Sequence, residues 1–237
     1  MKGILFDLDG TLLDIDIEEF LSRYFSALGE AVSEMLDGSG DHARAMQGIY
    51  EATSAMMQPH PRRTNRDEFN RAYLEYTGID IAAHAAVFER FYDAVFPGLR
   101  GQIAAHAGAR EALAQARACG MRVAVATNPI FPLRAIEHRL GWAGIEPAEV
   151  DFITSYENMF ATKPHPDYFR HVCTALELSP TECLMVGDDR MLDLPAADVG
   201  MRTFYVGPDP DAPADYRGSL GDLVELLRRS CSDGQIA

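Results

Sequence analysis

Two kinds of apolar pattern alternate along this chain. Short apolar runs closed by polar or turn residues occur at Gly3–Leu8, Met121–Asn128, Asp151–Tyr156, Glu182–Asp188 and Met201–Gly207, and each predicts a buried strand. Stretches with apolar residues three and four apart lie between them: EALAQARA, LRAIEHRLGW, YFRHVCTAL, and the shorter LPAAD. These predict helices, and in the third of them Phe169, Val172, Cys173 and Leu176 share one face. Pro164 and Pro166 suit that helix's entry turn. SLGDLVELLRRS predicts a last helix ahead of a polar tail, SDGQIA.

Strand–helix alternation of this kind predicts an α/β fold with a doubly wound, Rossmann-like parallel sheet. The rhythm is broken once. Between Ile15 and about Gly98 the patterns are all helical, in IEEFLSRYFSALGEAVSEML, RDEFNRAYLEY and AAVFERFYDAVF, with turns expected at Gly38-Ser39-Gly40 and Pro59-His60-Pro61. Residues 1–14 and 99–237 then form a sheet core, and 15–98 an inserted helical domain. An insert that follows the first strand directly sits over the carboxyl edge of the sheet, where open α/β folds bind ligands. It is placed to act as a cap.

Charge and composition narrow the chemistry. A formal net charge of −15 argues against nucleic-acid or anionic-membrane partners, which demand a basic face. No apolar run is long enough to span a bilayer, and the first residues lack a signal-peptide pattern, so a cytoplasmic protein is expected. The four cysteines, Cys119, Cys173, Cys183 and Cys231, form no CxxC and read as reduced packing residues. Lysine occurs only at Lys2 and Lys163, which raises the question of what the second amine does.

The polar residues that close the strands suggest an answer. Asp7 and Asp9 are two apart, so on a strand they point to the same side. Two close carboxylates share a proton or hold a cation between them. VGDDRMLD adds Asp188, Asp189 and Asp193 at another strand end. If the two strands are neighbours, Asp7, Asp9 and Asp188 make an oxygen-rich pocket suited to Mg²⁺. Thr127 and Asn128 offer a hydroxyl and an amide where a helix begins, which suits an anion, and Lys163 adds a compact positive charge.

DLDGTLLD, VATN, TKP and VGDDRMLD, in this order, resemble the four motifs of the haloacid dehalogenase-like hydrolase superfamily. The likeness covers nearly the whole chain, with the insert in the position of that superfamily's class I helical cap, and it is similar to the phosphoglycolate phosphatase-like branch. The resemblance implies a Mg²⁺-dependent phosphatase acting on a small phosphorylated metabolite. Asp7 would be the nucleophile, forming an aspartyl-phosphate; a free aspartate, with a pKa of about 3.9, is ionised at neutral pH without help. Asp9 would protonate the leaving alcohol and then activate water. Mg²⁺ would be held by the Asp7 carboxylate, the Asp9 backbone carbonyl and Asp188. Thr127, the Asn128 amide and Lys163 would bind the phosphate, Asp193 would support the metal's waters, and Asp189 would be structural or solvent-facing.

The same residues weigh against other family activities. Haloacid dehalogenases proper typically carry an aromatic residue where Asp9 stands, and phosphonoacetaldehyde hydrolases use a cap lysine, which this insert lacks. A phosphomutase similar to β-phosphoglucomutase shares the core residues and remains the alternative, followed by a non-catalytic binding protein on the same scaffold. No GxxxxGK[ST] supports a P-loop protein. In the cap, Arg62, Arg63 and Arg66 either meet a second anionic group or form a solvated helix start, and His42, His60 and His84 have no assignable partner. Trp142 reads as a packing residue. Oligomeric state is not encoded in any of these patterns.

Overall fold

The computed structural model describes residues 1–38, 40–60 and 63–232. Strand β1 (Gly3–Phe6) is followed by a short β2 (Leu13–Asp14) and then by the helices α1 (Ile17–Met35), α2 (His42–Met56), α3 (Asn65–Thr77) and α4 (Ala85–Arg90). Helical turns continue to Arg100 before β3 (Ala104–Ala105). After it come α5 (Ala109–Ala118), β4 (Arg122–Val125), α6 (Leu133–Trp142), β5 (Phe152–Ile153), α7 (Pro166–Ala175), β6 (Cys183–Gly187), β7 (Arg202–Tyr205), β8 (Tyr216–Arg217) and α8 (Leu220–Ser232). The strands of the main sheet run β5-β4-β1-β6-β7-β8, every pair parallel.

The sequence places β1 at the centre because Gly3–Phe6 is apolar on both faces. Ile4, Leu5 and Phe6 are fully buried, and each large apolar side chain so buried stabilises the fold by about 1.5–3 kcal/mol. Pairing on both sides then sets the register: Phe6 lies level with Val125 of β4 and Val186 of β6. The residues that follow these three strands therefore emerge at one carboxyl edge. The shared edge is what gathers Asp7, Thr127 and Asp188.

The chain leaves and rejoins the sheet through one narrow crossing. Leu13 and Asp14 pair antiparallel with Ala105 and Ala104, a two-stranded ladder that the hydrophobic pattern is too short to reveal. The helical insert stands on this ladder. Asp16, Asp41 and Thr64 cap the amino ends of α1, α2 and α3, each accepting a backbone N–H three residues on, and α3 stops at Gly78 in the left-handed conformation (φ 78°). Helix α2 falls within the insert expected to be helical. Of the expected turns, Ser39 and Pro61 lie outside the described residues, as does Arg62.

Aromatic side chains join insert and core. Trp142 of α6 stacks on Phe96 at 5.6 Å and meets Phe20 edge-on at 6.1 Å, while Tyr24 and Phe131 contact at 5.2 Å. The lone tryptophan is thus a packing residue between the two parts. Asn65, fully buried at the start of α3, donates through Nδ2 to the Pro129 carbonyl at 2.9 Å. This bond ties the cap to the loop that follows Thr127 and Asn128.

The structure corrects the reading of the cysteines. Helices α5 and α8 pack side by side, and Cys119 and Cys231 at their ends are joined as a disulfide with Cα atoms 5.8 Å apart. With a sequence separation of 112, no local spacing could signal the pair. Cys173 and Cys183 are free and buried, as expected of packing thiols. Among the described residues, no helix is long and apolar enough to cross a membrane.

Candidate active site

Lys163 is the centre of the edge site. It follows a loop and precedes α7, and its peptide bond to Pro164 is cis. Its ammonium lies 2.7 Å from Asp7 Oδ1 and 2.6 Å from Asp193 Oδ1, with 2% of the residue exposed. Burial alone would favour the neutral amine, but the two carboxylates outweigh it and hold the lysine protonated well above its ordinary value. Its backbone N–H donates to Asn128 Oδ1 at 3.2 Å. The rare second lysine is therefore a buried bridge between two acids and a neighbour of the Thr127 loop.

Asp7, Asp188 and Asp193 each turn a carboxylate oxygen toward the others, all within 4.8 Å. Asp188 is fixed by the Thr11 hydroxyl, which donates to its Oδ1 at 2.9 Å. Asp193 is reached by the Asp189 N–H at 3.0 Å. Burial and the charge of Asp7 push the Asp188 carboxyl up to about 6. Burial also pushes Asp193 up, to about 7, against the pull of Lys163. Acids raised in this way are crowded, oxygen-only donors, and an all-oxygen set of this kind fits a hard divalent cation such as Mg²⁺. Small residues make the crowding possible: a Cβ at Gly10 would lie 2.3 Å from Asp188 Oδ2, and one at Gly187 would lie 2.1 Å from Asp193 Oδ2.

Asp9 behaves differently from the simple strand picture. β1 ends at Phe6, and Asp9 lies in the turn that Gly10 closes with φ 81° and an N–H bond to the Leu13 carbonyl at 2.9 Å. The two-residue spacing therefore does not align the carboxylates of Asp7 and Asp9 on one strand face. Asp7 meets Lys163, whereas Asp9 Oδ2 accepts from Arg139 Nη2 at 2.5 Å. Burial raises the Asp9 carboxyl, the charge of Arg139 opposes this, and Asp7 adds to the rise.

Thr127 sits at the end of β4, buried, with its carbonyl accepting from Thr154 Oγ1 at 2.7 Å and from the Tyr168 hydroxyl at 2.9 Å. These bonds fix the loop and leave its own hydroxyl 3.5 Å from Arg139 Nη2. Asp189 is built into its turn, its Oδ1 accepting the N–H groups of Met191 (2.7 Å) and Leu192 (3.1 Å).

The cap arginines and histidines mostly have local partners. Arg63 pairs with Glu68 at 2.9 Å, and Arg66 pairs with Asp67 at 3.9 Å. The His42 ring faces the Gly29 carbonyl, and the buried His60 ring lies between the Met56 and Arg63 carbonyls. Arg66 also lines a cavity of about 720 Å³ between cap and core, walled by Tyr24, Phe25, Phe69, Phe88 and Phe131. Ile130 and Phe131, two and three residues past Asn128, are among its lining residues. The sequence pattern alone does not single out Arg139. It lies twelve residues past Thr127 in an ordinary amphipathic helix, and only the burial of its face distinguishes it.

Comparison with known proteins bears on the family and the fold. A family model described as haloacid dehalogenase-like hydrolase matches residues 1–199. A phosphoglycolate phosphatase of Photobacterium profundum is 29% identical over 95% of this chain and 96% of its own length. An N-acetylmuramic acid 6-phosphate phosphatase of Pseudomonas aeruginosa is 27% identical over 98% of this chain and 97% of its own. In three dimensions, a HAD phosphatase from Thermococcus onnurineus superposes with a TM-score of 0.60 at 21% identity, covering 96% of this chain and 98% of that one.

Proposed function

Because this chain belongs to the haloacid dehalogenase-like hydrolase family, we propose that it hydrolyses the phosphate monoester of a small metabolite through an aspartyl-phosphate on Asp7. The observation that carries this reading is the Asp7–Lys163–Asp193 bridge beside Asp188. It holds the nucleophile still and offsets part of its charge before a phosphate arrives. Residues 1–14 and 99–237 form the catalytic core, and 15–98 form the cap.

In the first step an Asp7 carboxylate oxygen attacks phosphorus and the bond to the leaving alcohol breaks. Asp9 gives its proton to the departing oxygen, so the alcohol leaves neutral. In the second step Asp9 takes a proton from water, whose oxygen attacks the phosphorus of the aspartyl-phosphate. Inorganic phosphate departs and Asp7 is regenerated. The Thr127 hydroxyl, the Asn128 amide and the Lys163 ammonium hold the phosphate oxygens through both steps. Mg²⁺ would be held by Asp7, Asp188 and the Asp9 carbonyl, with Asp193 beside them, and when bound would supply neutralisation of the phosphate charge.

The names of the relatives support phosphate monoesters as the substrate class. The cavity bears on size. About 720 Å³, lined by aromatic and aliphatic side chains together with Arg66, Asn70 and Arg134, is more than a two-carbon acid fills, which favours esters of larger alcohols over phosphoglycolate. The test is phosphate release from a panel spanning two-carbon acid, sugar and aryl-alkyl phosphates, with and without Mg²⁺. Release that needs Mg²⁺ and favours the larger esters is the expected result. A sugar phosphate isomerised with little free phosphate would instead establish a mutase.

Metal binding has its own expected signature. Asp188 and Asp193 have carboxyls at about 6 and about 7, above an unfolded value near 3.9. The folded chain thus binds more protons at these groups, and their contribution to stability falls as pH rises through that window. Mg²⁺ takes the ionised form and competes with those protons. Its addition should raise the melting temperature more at pH 7.5 than at pH 5.5. Equal shifts at both values would place the metal elsewhere.

A further inference from the structure

Arg139 has no part in the steps above, yet it is an expensive side chain to keep. It is 1% exposed in the middle of α6, and its guanidinium carbon lies 5.0 Å over the Phe131 ring. Among the described residues only Nη2 has partners: Asp9 Oδ2 at 2.5 Å and Thr127 Oγ1 at 3.5 Å. Nε and Nη1 are buried with no hydrogen-bond partner among the described residues. A buried arginine kept for stability usually engages a carboxylate with both arms of its fork, and an apolar side chain of similar size often serves stability as well. Buried donors left without partners call for an explanation.

The same single-point contact has a consequence at the acid. Arg139 takes Oδ2 of Asp9 and leaves Oδ1 buried without a partner among the described residues. We propose that Arg139 is a positioning residue that anchors Asp9 by Oδ2, beside the Thr127 hydroxyl, so that Oδ1 is the oxygen presented to the leaving group and then to water. Phe131 supports the guanidinium plane, and its ring also lines the cavity assigned to the leaving alcohol. The anchor is thus shared by the acid, the phosphate loop and the alcohol's wall. This inference rests on the reading of Asp9 as the acid, and the experiment separates the two.

The esters are 2-phenylethyl phosphate, whose alkoxide needs a proton to leave, and 4-nitrophenyl phosphate, whose phenolate does not. The comparison is kcat/KM for wild type, Arg139→Met, Arg139→Lys, Asp9→Asn and the double variant Asp9→Asn/Arg139→Met. A misplaced acid should cost about 30–100-fold on the phenylethyl ester and less than about threefold on the nitrophenyl ester. Arg139→Lys, which keeps a cation, should recover part of the loss and covers the case in which Arg139→Met fails to fold. In the Asp9→Asn background, Arg139→Met should cost less than about twofold more on the phenylethyl ester, because its effect passes through a group already gone. Equal losses on the two esters, or the full loss in both backgrounds, would overturn the role of Arg139 while leaving Asp9 in place. An Asp9→Asn protein with no leaving-group dependence would overturn both.

Discussion

Asp7→Asn should lower phosphate release by on the order of 10⁴–10⁶, the range seen when a covalent nucleophile is removed, while the protein melts close to wild type. The substitution is nearly isosteric, and the Asp7 backbone N–H keeps its bond to the Val186 carbonyl at 2.9 Å. Lys163 keeps Asp193 as its ion-pair partner. What disappears is the anionic oxygen that attacks phosphorus, and no neighbour replaces it: Asp193 is only 1% exposed and paired with Lys163, and Asp188 is held by Thr11. Acid quenching of wild type with ³²P-labelled substrate should trap label on the protein, and Asp7→Asn should trap none. Residual turnover above a tenth of wild type, or label retained by the variant, would remove Asp7 from the role proposed for it.

Lys163→Met should damage both activity and fold. The ammonium is the bridge between two carboxylates, and its loss leaves Asp7 and Asp193 facing each other in a buried site. Removing one partner of a buried ion pair destabilises by about 3–5 kcal/mol, and removing one donor to a developing phosphate charge lowers kcat by about 10²–10³. The two losses separate with pH. In the variant, Asp7 and Asp193 gain most from sharing a proton, so acidification should recover melting temperature. It should not recover turnover, because a proton on Asp7 removes the nucleophile. Melting and phosphate release measured together from pH 5 to 8 test this, and a parallel recovery of both would contradict it.

The fold was legible wherever burial is two-sided and local. Gly3–Leu8 and Glu182–Asp188 are apolar runs of strand length, and the structure forms strands inside both, at Gly3–Phe6 and Cys183–Gly187. The β2–β3 ladder was not legible, because Leu13–Asp14 and Ala104–Ala105 are too short for any periodicity and carry no apolar run. The Cys119–Cys231 pair was hidden for a related reason. A partner 112 residues away leaves no local trace, and only the packing of α5 on α8 brings the sulfurs together.

At the site, the residue types were present in the sequence and their pairings were not. The strand-end positions of Asp7, Thr127 and Asp188 follow from apolar runs that stop at polar residues, a pattern the chain writes locally. That Lys163 touches Asp7 and Asp193, and that Asp9 turns from them to Arg139, depends on contacts across 156, 30 and 130 residues. By itself the sequence determined β1, β4, β5, β6 and β7, the helical insert and which polar residues close those strands, because burial periodicity and turn chemistry act over a few neighbours. Only the tertiary structure decided which charge meets which, because partner choice among ionic groups is set by distance and burial in three dimensions.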